Sequence, residues 1–158
     1  MQFSGRYRFS APRPVVWAAL NDTEKLRAAI PGCSRLDWSG PDTLDMELKV
    51  SLGVVSPTFR GDLTLSNIVP AERYTLSGRG RGGVLGMAQG SADIALADAG
   101  EGTELSFLAT GGADNTIMKL GKALIGKSAQ RVIDHFFERF GDTFGATVTP
   151  LPPPSGPS

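Results

Sequence analysis

The sequence predicts an α+β domain in which a curved antiparallel sheet of about seven strands wraps a long C-terminal helix, with two short helices after the first strand. Three observations carry this expectation. Segments between residues 33 and 110 alternate apolar and polar side chains with period two, and turn residues separate them. From about residue 114 the apolar period changes to 3.6 and continues to Phe140. One long helix then has to cover the apolar face of the sheet, a helix-grip layout that leaves a cavity between the two.

Each element has its own signal. In "QFSGRYRFS", Phe3, Tyr7 and Phe9 share one side of a strand. "APRPVVWAALNDTEKLRAAIPG" reads as a helix and a second helical turn. Pro12 and Pro14 suit a first turn, Asp22 or Thr23 caps the next helix, and Pro31-Gly32 ends it. Val16, Trp17 and Leu20 make the apolar stripe of the first, and Leu26, Ala29 and Ile30 that of the second. "CSRLDWSG" is a short strand. "TLDMELKVSL" places Leu44, Met46, Leu48, Val50 and Leu52 on one face against Asp45, Glu47, Lys49 and Ser51 on the other. Phe59, Leu63 and Leu65 are in phase, with Gly61 interrupting; then come Tyr74, Leu76 and Gly78, then Ala92, Ile94 and Leu96, then Leu105, Phe107 and Ala109. Ile117, Leu120, Leu124, Ser128, Val132, Phe136 and Phe140 advance by three or four along the final helix, with Asp114 or Asn115 as its cap. The domain is expected over 1–147. The proline-rich 148–158, "TPLPPPSGPS" with the residue before it, is expected to be a disordered linker.

Composition narrows the function classes. The chain has 158 residues, 41% hydrophobic and 20% charged, which is globular and large enough for a core without disulfides. Lys plus Arg and Asp plus Glu number 16 each, so no global positive field draws nucleic acid, and no nucleic-acid partner is expected. A single cysteine, Cys33, excludes an internal disulfide and a cysteine-based metal site. The N-terminus lacks a signal-peptide core, and "PVVWAAL" at 14–20 falls far short of the roughly 18 apolar residues that span a bilayer. The expected location is cytoplasmic, with the C-terminal region as one route to peripheral attachment at the inner face of the membrane.

Two phosphate-binding patterns arise by chance. "GKALIGKS" at 121–128 fits G-x-x-x-x-G-K-[ST], but it lies inside the helical period, with no strand directly before it and no later strand to bring an acidic residue to magnesium. "GRGRGG" at 78–83 fits G-x-G-x-x-G, but no helical pattern follows it. Within the helix, Gly126 suits close packing on the sheet; Gly121 suits either packing or the enlargement of a cavity.

Catalytic constellations are equally thin. His135 is the only histidine and sits beside Phe136 and Phe137 on the distal helix, where a solvated side chain is expected. The carboxylates fall on exposed strand faces. Cys33 reads as a buried structural thiol before a reactive one. Arg79 and Arg81 either rim a pocket mouth, dock a partner or lie in a solvated turn.

"APRPVVWAALNDTEKLRAAIPGCSRL" resembles the opening of the carbon monoxide dehydrogenase G-subunit family, within the START-like (Bet v 1-like, helix-grip, SRPBCC) superfamily. Pro12, Val16, Trp17, Leu20, Asn21, Asp22, Leu26, Ile30, Pro31, Gly32 and Cys33 match its pattern. "YTLSGRGRGGVLGMAQGSADIAL" is similar to the family's central glycine-rich stretch, and "KLGKALIGKSAQRVIDHFFERF" to its closing helix; the resemblance covers roughly 1–145. "GGADNTIMKLG" departs from the family's glycine pair and "LAQLG" run. The resemblance implies an accessory protein, not an enzyme. Such a protein would accompany the subunits of a molybdenum hydroxylase, help recruit it to the membrane and handle a quinone. A polyketide cyclase or hydrolase of the same fold is the alternative.

The candidate site follows from the layout. An apolar cavity, with no metal or covalent cofactor and fit for a quinone or lipid, is expected between sheet and helix. Trp17, Ile30, Val50, Phe59, Leu76, Met87 and Phe107 are expected to line it, with Ile117, Leu120, Gly121 and Leu124 from the helix's first half. Val132, Phe136 and Phe140 should fill the second half. Pro31, Gly32 and Cys33 on one side and Gly83, Val84 and Leu85 on the other are the expected mouth.

Overall fold

The computed structural model describes residues 2–49, 56, 58–81, 87–113 and 129–152. In chain order these form β1 (Gln2–Phe9), α1 (Arg13–Leu20), α2 (Thr23–Ala29), β2 (Cys33–Trp38), β3 (Thr43–Lys49), β4 (Thr58–Val69), β5 (Arg73–Arg81), β6 (Met87–Ala99), β7 (Gly102–Ala113), α3 (Ala129–Asp142) and β8 (Val148–Leu151). The strands make one antiparallel sheet in the order β2-β3-β4-β5-β6-β7-β1-β8. Successive hairpins join β2 to β7, and β1 returns beside β7, with Gln2 opposite Thr110 and Phe9 opposite Thr103.

Alternation puts Tyr7, Phe9, Leu36, Leu44, Leu65, Tyr74, Leu96 and Leu105 on one buried face. Their neighbours along each strand face water, where Arg6 pairs with Glu104 at 2.7 Å across β1 and β7. The buried face receives α3. Tyr7 stacks on Phe137 at 4.2 Å, and Phe9 meets Phe140 edge-on at 6.0 Å and Phe144 at 6.1 Å. The Tyr7 hydroxyl donates to Asp134 at 2.5 Å, so the helix is held in rotation as well as in position. Phe140 is fully buried, so the distal part of α3 belongs to the core, as its large side chains suggest.

The two short helices end as their sequences direct. Pro12 is the N-cap of α1 and Pro14 lies in its first turn, where a missing N–H costs nothing. Asp22 caps α2 by accepting from the backbone N–H groups of Glu24 and Lys25. Its carboxyl is held below the usual range, first by the hydrogen bond from the Lys25 side chain and then by the Lys25 N–H. Gly32 turns the chain from α2 into β2 at φ +75°, and a Cβ there would lie 2.1 Å from the Lys49 carbonyl oxygen. Only glycine permits both.

The structure departs from expectation at the C-terminal end. The sheet has eight strands instead of seven, because Val148–Leu151, expected to be disordered, pairs with β1 as an edge strand. Pro150 sits opposite Tyr7, and an outermost strand tolerates the missing N–H. Ser10 secures the approach, its N–H donating to the Thr147 carbonyl and its Oγ accepting from the Thr147 N–H. The described part of the final helix starts at Ala129. The expected first half, the Asp114/Asn115 cap and the pattern at 121–128 lie outside the described residues.

Candidate functional site

Between the inner face of the sheet, α2 and α3 lies a cavity of about 410 Å³. The sheet contributes Phe3 from β1, Leu36 and Trp38 from β2, and Leu44 from β3. Leu63 and Leu65 follow from β4, Tyr74 and Leu76 from β5, Ala92 and Ile94 from β6, and Leu105, Phe107 and Ala109 from β7. Leu20, Leu26, Ile30 and Pro31 close one side, and Ile133, Phe136 and Phe137 come down from α3. The space exists because side chains in the middle of the floor are short. Ala92 and Ala109 stand opposite each other across β6 and β7, while Leu and Phe residues surround them. Pro31 and Trp38 are both exposed and both part of the wall, and they stand at opposite ends of β2, so the described rim follows this edge strand.

Within this described wall the only side-chain polar atoms are the Tyr74 hydroxyl and the Trp38 indole nitrogen. Trp17 backs Tyr74 edge-on at 5.5 Å. Burial pushes the Tyr74 phenol well above its ordinary pKa, so it stays protonated and can donate a hydrogen bond.

Four of the sequence-predicted residues, Ile30, Leu76, Phe107 and Pro31, come together here. Trp17 supports the wall through Tyr74 without lining it. Phe59 points to the same face as Leu63 and Leu65, opposite Leu48, but beyond the described wall. Met87 is paired with Arg81 and is in phase with Gln89 and Ser91, so it belongs to the other face of β6. Val50, Ile117, Leu120, Gly121, Leu124, Gly83, Val84 and Leu85 lie outside the described residues. Gly32 and Cys33 continue from Pro31 into β2. Phe136, expected as a filler, is part of the wall.

The remaining candidates separate from the cavity. The Cys33 thiol is partly buried and donates to the Arg35 carbonyl oxygen at 3.3 Å; burial raises its pKa despite that contact and the nearby Arg27 charge. Arg79 and Arg81 are exposed, and Arg79 lies on the outer face with Asp62, Ser77, Gln89 and Ser91, so these arginines do not rim the cavity. Gly78 to Arg81 are extended residues of β5 paired with both β4 and β6, so the described part of the 78–83 pattern is strand, and Gly82 and Gly83 lie outside the described residues. His135 is exposed. Among the described residues no three His, Cys, Asp or Glu side chains gather into a metal site. Among them, too, no helix is long and apolar enough to cross a membrane.

Residues 5–144 match the family described as the G-subunit of carbon monoxide dehydrogenase (CoxG). The chain belongs to the CoxG family. Its fold is shared with solved proteins of low sequence identity. A conserved protein from Geobacillus kaustophilus superposes with a TM-score of 0.79 at 22% identity, covering 92% of this chain and 99% of that one. A protein from Chromobacterium violaceum gives 0.68 at 18%, covering 90% and 95%. Ara h 8.0201, a Bet v 1-like protein, gives 0.58 at 10%, covering 89% and 97%. These likenesses make the CoxG-family domain Bet v 1-like in fold. No curated protein matches the sequence.

The wall residues that sequence reasoning missed are mostly those whose face it assigned correctly. Leu44, Leu63, Leu65, Ile94 and Leu105 were placed on the inner face, yet period two cannot say which part of that face lies over open space. Leu36 and Trp38 were hidden for another reason. The register slips between Cys33 and Arg35, so Cys33 opposite Leu48 and Leu36 opposite Met46 share the inner face, whereas strict alternation from Cys33 would turn Leu36 and Trp38 outward.

Proposed function

We propose that this chain is a non-catalytic accessory protein of a carbon monoxide dehydrogenase-type molybdenum hydroxylase. It carries an apolar molecule, a quinone or a lipid, in the cavity between sheet and α3 and brings the enzyme and the membrane together. Family membership supports the association with the enzyme. The cavity carries the ligand reading. Its volume of about 410 Å³ falls within the roughly 300–1,000 Å³ common for small-molecule pockets. A ligand burying about 150 Å² of apolar surface there would gain about 4 kcal/mol from leaving water.

The described wall offers one phenol and no carboxylate, imidazole or amine, which favours a carrier over a cyclase or hydrolase. Purification without detergent, followed by native mass spectrometry and organic extraction, tests the proposal. A carrier yields a bound quinone or lipid, or binds added 2-methylnaphthalene; a protein that does neither is not one.

A further inference from the structure

Of the two polar side-chain groups in the described wall, the Trp38 indole belongs to an exposed residue of the rim, and the Tyr74 hydroxyl is the one carried by a buried residue. Tyr74 is 7% exposed. Its neighbours Arg73 and Thr75 alternate to the other face of β5, while its own ring turns inward with Leu76. Its hydroxyl makes no hydrogen bond among the described residues. Yet no buried side-chain oxygen or nitrogen among those residues is sealed without a partner. Tyr74 is a side chain of the wall, turned inward with Leu76, so the cavity is the space from which a partner can reach its hydroxyl. Tyr7 is the contrast: its hydroxyl reaches Asp134 and serves the packing of α3. A phenylalanine would fill the place of Tyr74 equally well if packing were its only role, because the edge-on contact with Trp17 uses the ring alone.

We propose that the Tyr74 hydroxyl is the polar recognition element of the cavity, donating a hydrogen bond to an acceptor oxygen on an otherwise apolar ligand. This rests on the ligand-carrying reading above and narrows it. The ligand class is a molecule with a carbonyl or comparable acceptor, inserted so that this oxygen enters the cavity ahead of its hydrocarbon remainder. A purely hydrocarbon ligand, or a lipid held only by its acyl chain with the head group outside, gains nothing from Tyr74. The donor is fixed in its protonated form, since burial raises the phenol's pKa.

The test uses the full chain, Tyr74→Phe, and two probes that differ only in the acceptors: 2-methyl-1,4-naphthoquinone and 2-methylnaphthalene, both measured by isothermal titration calorimetry. Thermal unfolding of the variant should match the wild type, because only an unpaired hydroxyl is lost. The quinone should bind the variant about tenfold more weakly, equivalent to about 1.4 kcal/mol, while the hydrocarbon binds both proteins alike. If both probes bind and the quinone is unaffected by Tyr74→Phe, the role of Tyr74 is wrong and the apolar carrier stands. If both weaken equally, the ring is a packing contact and the recognition role is again wrong. If neither probe binds the wild type, the carrier reading fails and takes this inference with it.

Discussion

Ala92 and Ala109 give the cavity its depth, so enlarging them should abolish binding without abolishing the fold. They face each other in register and both line the wall. Replacing both with leucine adds six carbon atoms in all, and at a water-like share of about 30 Å³ each they would occupy about 180 Å³ of the about 410 Å³ present. Six methylene-sized groups at about 0.8 kcal/mol each would stabilise by about 5 kcal/mol if fully buried. Ordering two leucines costs about 2 kcal/mol. Imperfect fit costs about 1–3 kcal/mol. The net effect is between zero and about 2 kcal/mol of added stability, because the new atoms enter open space. Thermal unfolding and calorimetric titration with 2-methylnaphthalene measure the two halves of this expectation. The melting temperature should hold or rise, and binding should weaken at least about tenfold. A fall of about 10 °C, roughly 3 kcal/mol for a chain of this size, would mean that the space is not there. A stable variant that binds as the wild type does would place the ligand elsewhere.

Two further expectations concern the described rim. Gly32→Ala puts a Cβ 2.1 Å from the Lys49 carbonyl oxygen at φ +75°, and urea denaturation should show a loss of at least about 2 kcal/mol; an unchanged midpoint would refute the turn geometry. The Cys33 pKa is raised by burial, so the folded protein should hold less thiolate than an unfolded chain at pH 8 and alkylate with iodoacetamide more slowly. The rate should climb as pH passes the ordinary cysteine range, and urea should abolish the difference. Equal rates with and without urea at pH 8 would contradict the burial of this thiol.

Much of the architecture was legible because local chemistry and tertiary structure agree. Alternation such as Leu44, Met46 and Leu48 against Asp45, Glu47 and Lys49 encodes a one-sided sheet, and Asp22 and Gly32 bracket α2 with residues suited to their backbone positions. The strand Val148–Leu151 was illegible because its local signal is short and mixed: Val148 and Thr149 suit a strand, Pro150 opposes it, and the segment is extended beside the edge that β1 offers. The site was legible in kind but not in detail. Ile30, Leu76 and Phe107 follow from facing inward, whereas Phe59 faces inward too and misses the described wall. Met87 was misassigned because the glycine-rich stretch before β6 gives no phase to count from, and pairing with Arg81 sets it on the outer face. Tyr74 appeared in the sequence only as one more inward aromatic; that its hydroxyl stands unpaired is a property of the packed wall.

The central claim is that the cavity holds an apolar molecule bearing an acceptor oxygen. The most direct measurement is native mass spectrometry of the detergent-free protein, with organic extraction of the same sample and of the Ala92→Leu/Ala109→Leu variant. The expected result is a co-purified apolar compound with a carbonyl or comparable oxygen on the wild type, absent from the equally folded variant. An empty wild-type protein that also fails to take up added 2-methyl-1,4-naphthoquinone and 2-methylnaphthalene would contradict the claim.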